Sequence, residues 1–236
     1  MTFEDERVPN SELPENFSGI VRLFPLPNLV LFPGVVQALH IFEPRYRKMM
    51  EDTLAGDRTI AMCLPKEGLG NQRVPEIHGV ICIGKVVAHA EVEDGRYNLL
   101  LQGIARAKIV RELGVEQPYR MAEVEILPDI DDADKETKTA IRSRIRAFCE
   151  KIQAQEIENS LGASVFAGSG VWNQLSIGLL VDLVCFALPI PSDQRQEILE
   201  TQDVVARAER MLDFGQALNG APTDSQVDFP PRFSSN

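Results

Sequence analysis

Ready-made chemistry is scarce in this chain of 236 residues. Its four cysteines, Cys63, Cys82, Cys149 and Cys185, form no C-x-x-C pair and have apolar neighbours. The closely spaced soft ligands of a zinc site are therefore missing, and the thiols read as buried, free groups of a reducing compartment. There are three histidines, His40, His78 and His89, no H-E-x-x-H and no carboxylate–histidine cluster with metal spacing. A G-x-S-x-G nucleophile elbow is absent too. The nearest approach to a phosphate loop, Gly79 to Val86, has a valine where magnesium needs a hydroxyl, and it reads as a strand. No cofactor and no metal are expected.

Other absences bound the setting. A membrane-spanning helix needs about 20 apolar residues. The longest apolar run, Leu175 to Leu188, is broken by Ser176, Gly178 and Asp182 and reads as a buried helix. Met1 to Asn16 has neither the basic nor the apolar region of a signal peptide. A soluble, cytoplasmic protein is expected, with no membrane partner. Basic residues are outnumbered, 24 Lys+Arg against 35 Asp+Glu, for a net charge of −11 and a pI near 4.8. That balance disfavours nucleic acid, because there is no overall counterion-release term, although a local basic patch stays open.

What is present is core: 44% of the residues are hydrophobic, enough for one domain or two small ones without disulfides. Residues 1–18 read as a flexible acidic leader and 220–236 as a disordered tail. From 19 to 128 the chain is strand-rich. Val21–Phe24, Val30–Phe32 and Thr59–Leu64 are short apolar strands, and Pro44–Leu54 is an embedded helix. Ile81–Val92 alternates and predicts a half-buried strand. Asp94-Gly95 supplies a tight hairpin turn, with Tyr97–Gln102 pairing back. Ala105–Val110 and Ala122–Leu127 continue an antiparallel arrangement.

After a charged linker, Asp129–Lys138, the period becomes helical. Ile141, Ile145, Phe148 and Ile152 share one face, Gly162–Gly170 is a loop, and Leu175–Leu188 is a central helix. Ser192 and Asp203 are expected N-caps, with Val204, Ala208, Met211 and Leu218 facing inward on the last helix. The class is α+β, a strand-rich subdomain over 19–128 followed by a helical one over 129–219. The carboxylates fall in the leader, in the linker and on helix faces, where they read as solvated. Lys138, Arg142 and Arg146 form a basic stripe that the linker acids can neutralise.

One segment is unusual. Leu23-Phe24-Pro25-Leu26-Pro27-Asn28-Leu29-Val30-Leu31-Phe32-Pro33-Gly34 is followed by His40-Ile41-Phe42-Glu43-Pro44-Arg45-Tyr46-Arg47. One reading puts Phe24, Phe32 and Phe42 in a core beside a rigid turn. The other makes part of the segment an apolar groove for an extended peptide.

These residues closely resemble the start of the Lon protease N-terminal domain. The resemblance runs over about residues 20–218. It includes Asp94-Gly95-Arg96-Tyr97 leading to Gly103-Ile104-Ala105-Arg106, Pro118-Tyr119-Arg120 before Ala122-Glu123-Val124, and Asp182-Leu183-Val184. It ends through Ile198-Leu199-Glu200, Asp203-Val204 and Arg207. It implies a PUA-like antiparallel β-barrel followed by a C-terminal α-helical bundle. The ATPase and Ser-Lys protease domains that follow in full-length Lon have no counterpart in the sequence, so the resemblance implies a free-standing, non-catalytic module. The resemblance implies recognition of unfolded or client polypeptides and leaves three roles open: an adaptor in proteolysis that delivers clients to a separate ATP-dependent protease, a holdase, or a regulator. Monomer or dimer is expected. The peptide-binding candidates are Phe32, Pro33, Phe42, Pro44 and Tyr46, with Glu43 and Arg45 orienting the turn or its rim. RNA binding, suggested by the PUA-like fold alone, and a hydrolase with an unrecognised site are the alternatives.

Overall fold

The computed structural model describes residues 12–15, 17–66, 75–114, 116–153 and 174–218. The chain divides into two compact units, Met1–Pro128 and Asp129–Asn236.

In the first unit the strands are β1 (Ile20–Pro25), β2 (Val36–Ile41), β3 (Thr59–Cys63), β4 (Val80–Val92), β5 (Arg96–Leu113) and β6 (Arg120–Leu127). Helix α1 (Pro44–Ala55) lies between β2 and β3. The sheet order is β2-β5-β4-β3-β1-β6, and β5 pairs with β6 as well. Pairings therefore run from β5 through β4, β3, β1 and β6 back to β5, with β2 added outside this circuit. Val21, Leu23, Ala61, Cys63, Ile81, Ile83, Ala107 and Ala122 form a buried cluster from those strands. The β1–β3 pairing is parallel, Leu23 opposite Ala61, so the expectation of a wholly antiparallel arrangement is corrected at one pair. The helix between these strands supplies the crossover that parallel neighbours require.

Several strand expectations change. Val30–Phe32 is no strand; it is an irregular segment with Val30, Leu31 and Phe32 all buried. An apolar run covered on every side carries no period from which to read its backbone. β2, not foreseen, takes up the sheet position instead. Tyr97–Gln102 and Ala105–Val110 belong to one strand of 18 residues. On β4 the two-residue alternation fails: Ile81–Gly84 is buried on both faces and Ala88–Glu91 is exposed on both. The hairpin turn forms as expected, with Asp94 and Gly95 both at positive φ, 70° and 69°, as a tight turn between right-twisted strands requires. Leu13 and Phe17, in the stretch read as a flexible leader, pack against the buried cluster. The rest of that leader through residue 11, the tail from 219 and the Gly162–Gly170 segment lie outside the described residues.

The second unit contains α2 (Lys135–Gln153), α3 (Ile177–Ala187), α4 (Ser192–Glu200) and α5 (Val204–Leu218). Ile141, Ile145 and Phe148 form the buried face of α2, and Val204, Ala208 and Met211 that of α5. The side chains of Ile152 and Leu218 lie outside the described residues. Ser176 caps α3 by accepting from the Leu179 amide at 3.2 Å, and Asp203 caps α5 by accepting from Ala206 at 2.8 Å. Ser192 is not a cap: α4 starts at Ser192 itself, after Pro191, with no side-chain capping bond.

The solvated reading of the acids is corrected at two positions. Arg207, fully buried, is held by buried Asp182 at 3.1 Å and by Asp129 from the linker. It also donates to the carbonyls of Thr201 and Gln202. A desolvated guanidinium survives in a core only when its charge and its donors are answered in this way. On the basic stripe, Lys138 pairs with Asp131 at 3.0 Å, Arg142 donates to the Leu175 carbonyl, and Arg146 pairs with Glu150.

Among the described residues no helix is long and apolar enough to cross a membrane, and no group of three or more His, Cys, Asp or Glu side chains could hold a metal. The four cysteines are buried free thiols. Burial pushes Cys63 and Cys149 up to about 12, which leaves both as inert thiols.

Candidate polypeptide-binding face

The seven candidate residues fall into two groups. Phe32 is 0% exposed and Tyr46 is 5% exposed. Tyr46 packs edge-on to Phe24, ring centroids 4.6 Å apart, and burial raises its pKa against the opposing pull of Arg45. These two rings belong to the core and present nothing to an incoming chain. Phe42 is 42% exposed, which corrects its place in the core reading; Pro44 and Arg45 are also exposed, and Pro33 and Glu43 are half-buried.

The local backbone explains this division. Pro44 occupies the first turn of α1, where a missing N–H costs nothing. The Glu43 carbonyl accepts from Tyr46 and Arg47, and Tyr46 then falls on the buried face with Met49 and Met50. Arg45 lies over the Tyr46 ring at 4.5 Å and bonds the Glu43 carboxylate at 2.9 Å, so the pair closes the helix start rather than reaching outward.

Phe42 belongs to a larger surface that the sequence did not reveal. Residues directly opposite one another in a sheet project to the same face, and so do residues two apart on a strand. Ala38 of β2 lies opposite Leu100 of β5, which lies opposite Ala88 of β4. Val36 and His40 extend this face along β2, Asn98 along β5 and Ala90 along β4. Val36 is 46% exposed, Leu100 is 41% exposed, and Ala38, Ala88 and Ala90 are exposed as well. Phe42 continues the row, its ring stacked on His40 at 6.2 Å and 22°. The opposite face of the same strands carries Leu39, Leu99 and Leu101, all buried. The run Leu99-Leu100-Leu101 places its middle leucine on the face opposite the other two, and only the packing of the sheet decides that this face is exposed.

The face has little charge. Asn98 and His40 bond each other at 2.7 Å. At the Val36 end Lys85 lies opposite Gln102, which is 3% exposed and whose Oε1 is buried with no hydrogen-bond partner. Two β-bulges on the β4–β5 pairing, between Ile83 and Gly84 and between Val86 and Ala88, reset the register so that the small residues of β4 come opposite Leu100. The arrangement is an exposed, largely apolar face of three strands. It can adhere to apolar side chains.

The ATP-dependent protease La (LON) substrate-binding domain family model matches residues 20–215. Among curated proteins, the chain is 25% identical over 211 residues to a Lon protease of Dictyoglomus thermophilum, covering 88% of this chain and 25% of that protein. It is 27% identical over 197 residues to a Lon protease of Aquifex aeolicus, covering 82% and 24%. The chain thus spans about a quarter of the length of these relatives. Among solved structures it resembles the N-terminal domain of Lon protease from the Mycobacterium avium complex, with TM-score 0.63, 17% identity, and 84% of this chain and 98% of that one covered. It also resembles a Lon N-terminal domain protein of Xanthomonas campestris, with TM-score 0.58, 20% identity, and 86% and 99% covered.

Proposed function

The chain belongs to the LON substrate-binding domain family, and from that premise we propose that it is a non-catalytic module that captures unfolded or client polypeptides on the outer face of β2, β5 and β4. The observation that carries this reading is the joint exposure of Val36, Leu100 and Phe42 around a row of alanines. Water-facing apolar residues grouped in this way offer an adhesive surface. Completing the burial of three half-covered side chains adds roughly 1 kcal/mol each. Capture is then weak and reversible, as suits a module that must pass its clients on. Of the other candidates, Pro33 precedes β2 and Glu43, Pro44 and Arg45 follow Phe42, which puts them at the border of this face, while Phe32 and Tyr46 are buried and serve the fold.

The closed circuit of strand pairings supports a PUA-like barrel, and the helices of the second unit support a bundle that follows it. The likeness to Lon proteases supports a cytoplasmic role in proteolysis, with a separate ATP-dependent protease as the recipient of clients. The test is fluorescence anisotropy with a labelled, reduced and carboxymethylated protein that cannot refold. Saturable binding that weakens at least tenfold in Leu100→Asp is the expected result. Binding of a labelled single-stranded RNA alone, at physiological salt, contradicts it.

A further inference from the structure

The mode of capture is a separate question, and β2 bears on it. Among the described residues β2 pairs with β5 alone, and no described strand pairs with its outer edge. The Gly103 amide donates to the Val35 carbonyl at 2.8 Å. In an antiparallel ladder the direction of backbone groups alternates, so Gln37, Leu39 and Ile41 face β5 as the Val35 carbonyl does, and Val36 and Ala38 direct their N–H and C=O groups outward. Natural edges are blunted by charge, proline or bulges. The six residues Val-Gln-Ala-Leu-His-Ile of β2 contain no proline, no Lys, Arg, Asp or Glu, and no register shift against β5. One device is present: the Gln37 Nε2 bonds the outward Ala38 carbonyl at 2.7 Å.

We propose that an extended client segment docks as an added strand on the outer edge of β2 along Val36 and Ala38, displacing the Gln37 side chain from the Ala38 carbonyl. The proposal rests on the client-binding reading above and specifies its mode. The occupant is an extended polypeptide, because a row of outward backbone donors and acceptors is answered by another strand and by nothing helical. Its apolar residues recur at alternate positions, since only those lie on the outer face and prolong the row Ala88–Leu100–Ala38. Its flanks are cationic, because this chain carries a net charge of −11 and repels acidic segments.

The probe is a fluorescein-labelled heptapeptide, Lys-Val-Thr-Val-Thr-Val-Lys, with two analogues N-methylated either at the valine or at the threonine amides. One analogue should bind at least tenfold more weakly while the other matches the parent, because only alternate amides face β2. Val36→Lys should weaken the parent peptide by a similar factor with an unchanged melting temperature, and Gln37→Ala should tighten it about threefold. Equal binding of both analogues overturns the edge and leaves the apolar face as the client site. So does binding of the unfolded protein without any peptide. Failure of every peptide and of the unfolded protein overturns both readings. A dimer in sedimentation that Val36→Lys dissociates, without peptide affinity, assigns the edge to a second copy and overturns the proposal.

Discussion

A Cβ atom on Gly103 would lie 2.1 Å from the carbonyl oxygen of Phe32. The irregular segment through Phe32 thus presses its backbone against β5 at the one position without a side chain, and Gly34 and Val35 complete the contact by bonding the Gly103 carbonyl and amide at 2.8 Å. This seam buries Phe32 and starts β2 in register with β5. Gly103→Ala is expected to destabilise the protein by about 1–3 kcal/mol, since neither backbone can yield cheaply. Gly79→Ala, with nothing within 4 Å, is the neutral control. Urea denaturation of both variants is the check.

Phe32 and Phe42 should separate folding from binding. Phe32→Ala empties a fully buried site and costs about 3–5 kcal/mol. Phe42→Ala removes a ring that is 42% exposed and stays within about 0.5 kcal/mol of the parent, while weakening capture of an unfolded protein. Melting curves and anisotropy on the same two variants measure both quantities.

In the second unit, Arg207→Met removes the buried cation that pairs with Asp182 and Asp129 and is expected to cost about 3–5 kcal/mol. Arg144→Ala breaks an exposed pair with Glu209 and costs less than about 1 kcal/mol. Adding Asp182→Leu to Arg207→Met should recover part of the stability, because a buried carboxylate that has lost its cation is removed as well. Chemical denaturation of the three variants tests this order.

Acid sensitivity follows from Asp52. Its carboxylate accepts from Lys48 at 2.8 Å and from the Tyr119 hydroxyl at 2.7 Å, and these bonds hold its pKa below the ordinary value. A folded-state pKa below the unfolded one stabilises fully above the unfolded value and is lost as the pH falls through the folded one. Asp52→Asn should therefore lower stability at neutral pH and flatten the acid limb of the stability profile below about pH 4. Denaturation midpoints across that range measure it.

The parts of the fold legible in the sequence are those set by local chemistry. Asp94-Gly95 announced its turn because few residue pairs accept two positive φ angles. The α2 face announced itself through Ile141, Ile145 and Phe148. β2 did not: Leu39 and Ile41 turn inward while Val36 turns out, so no apolar stripe marks it. The candidate site was half legible for the same reason. Phe32 and Phe42 sit in similar apolar stretches, and only the seam at Gly103 and the start of α1 decide that one is core and the other surface. Asp129 looked like one more linker acid, because its partner Arg207 is distant in sequence.

Hydrogen–deuterium exchange, with and without a saturating unfolded protein, tests the central claim most directly. The account predicts added protection in β2 and in the stretches of β4 and β5 around Ala88 and Leu100, and little change in the buried strands β1 and β3. Protection confined to the second unit, with β2 exchanging as in the free protein, would contradict it.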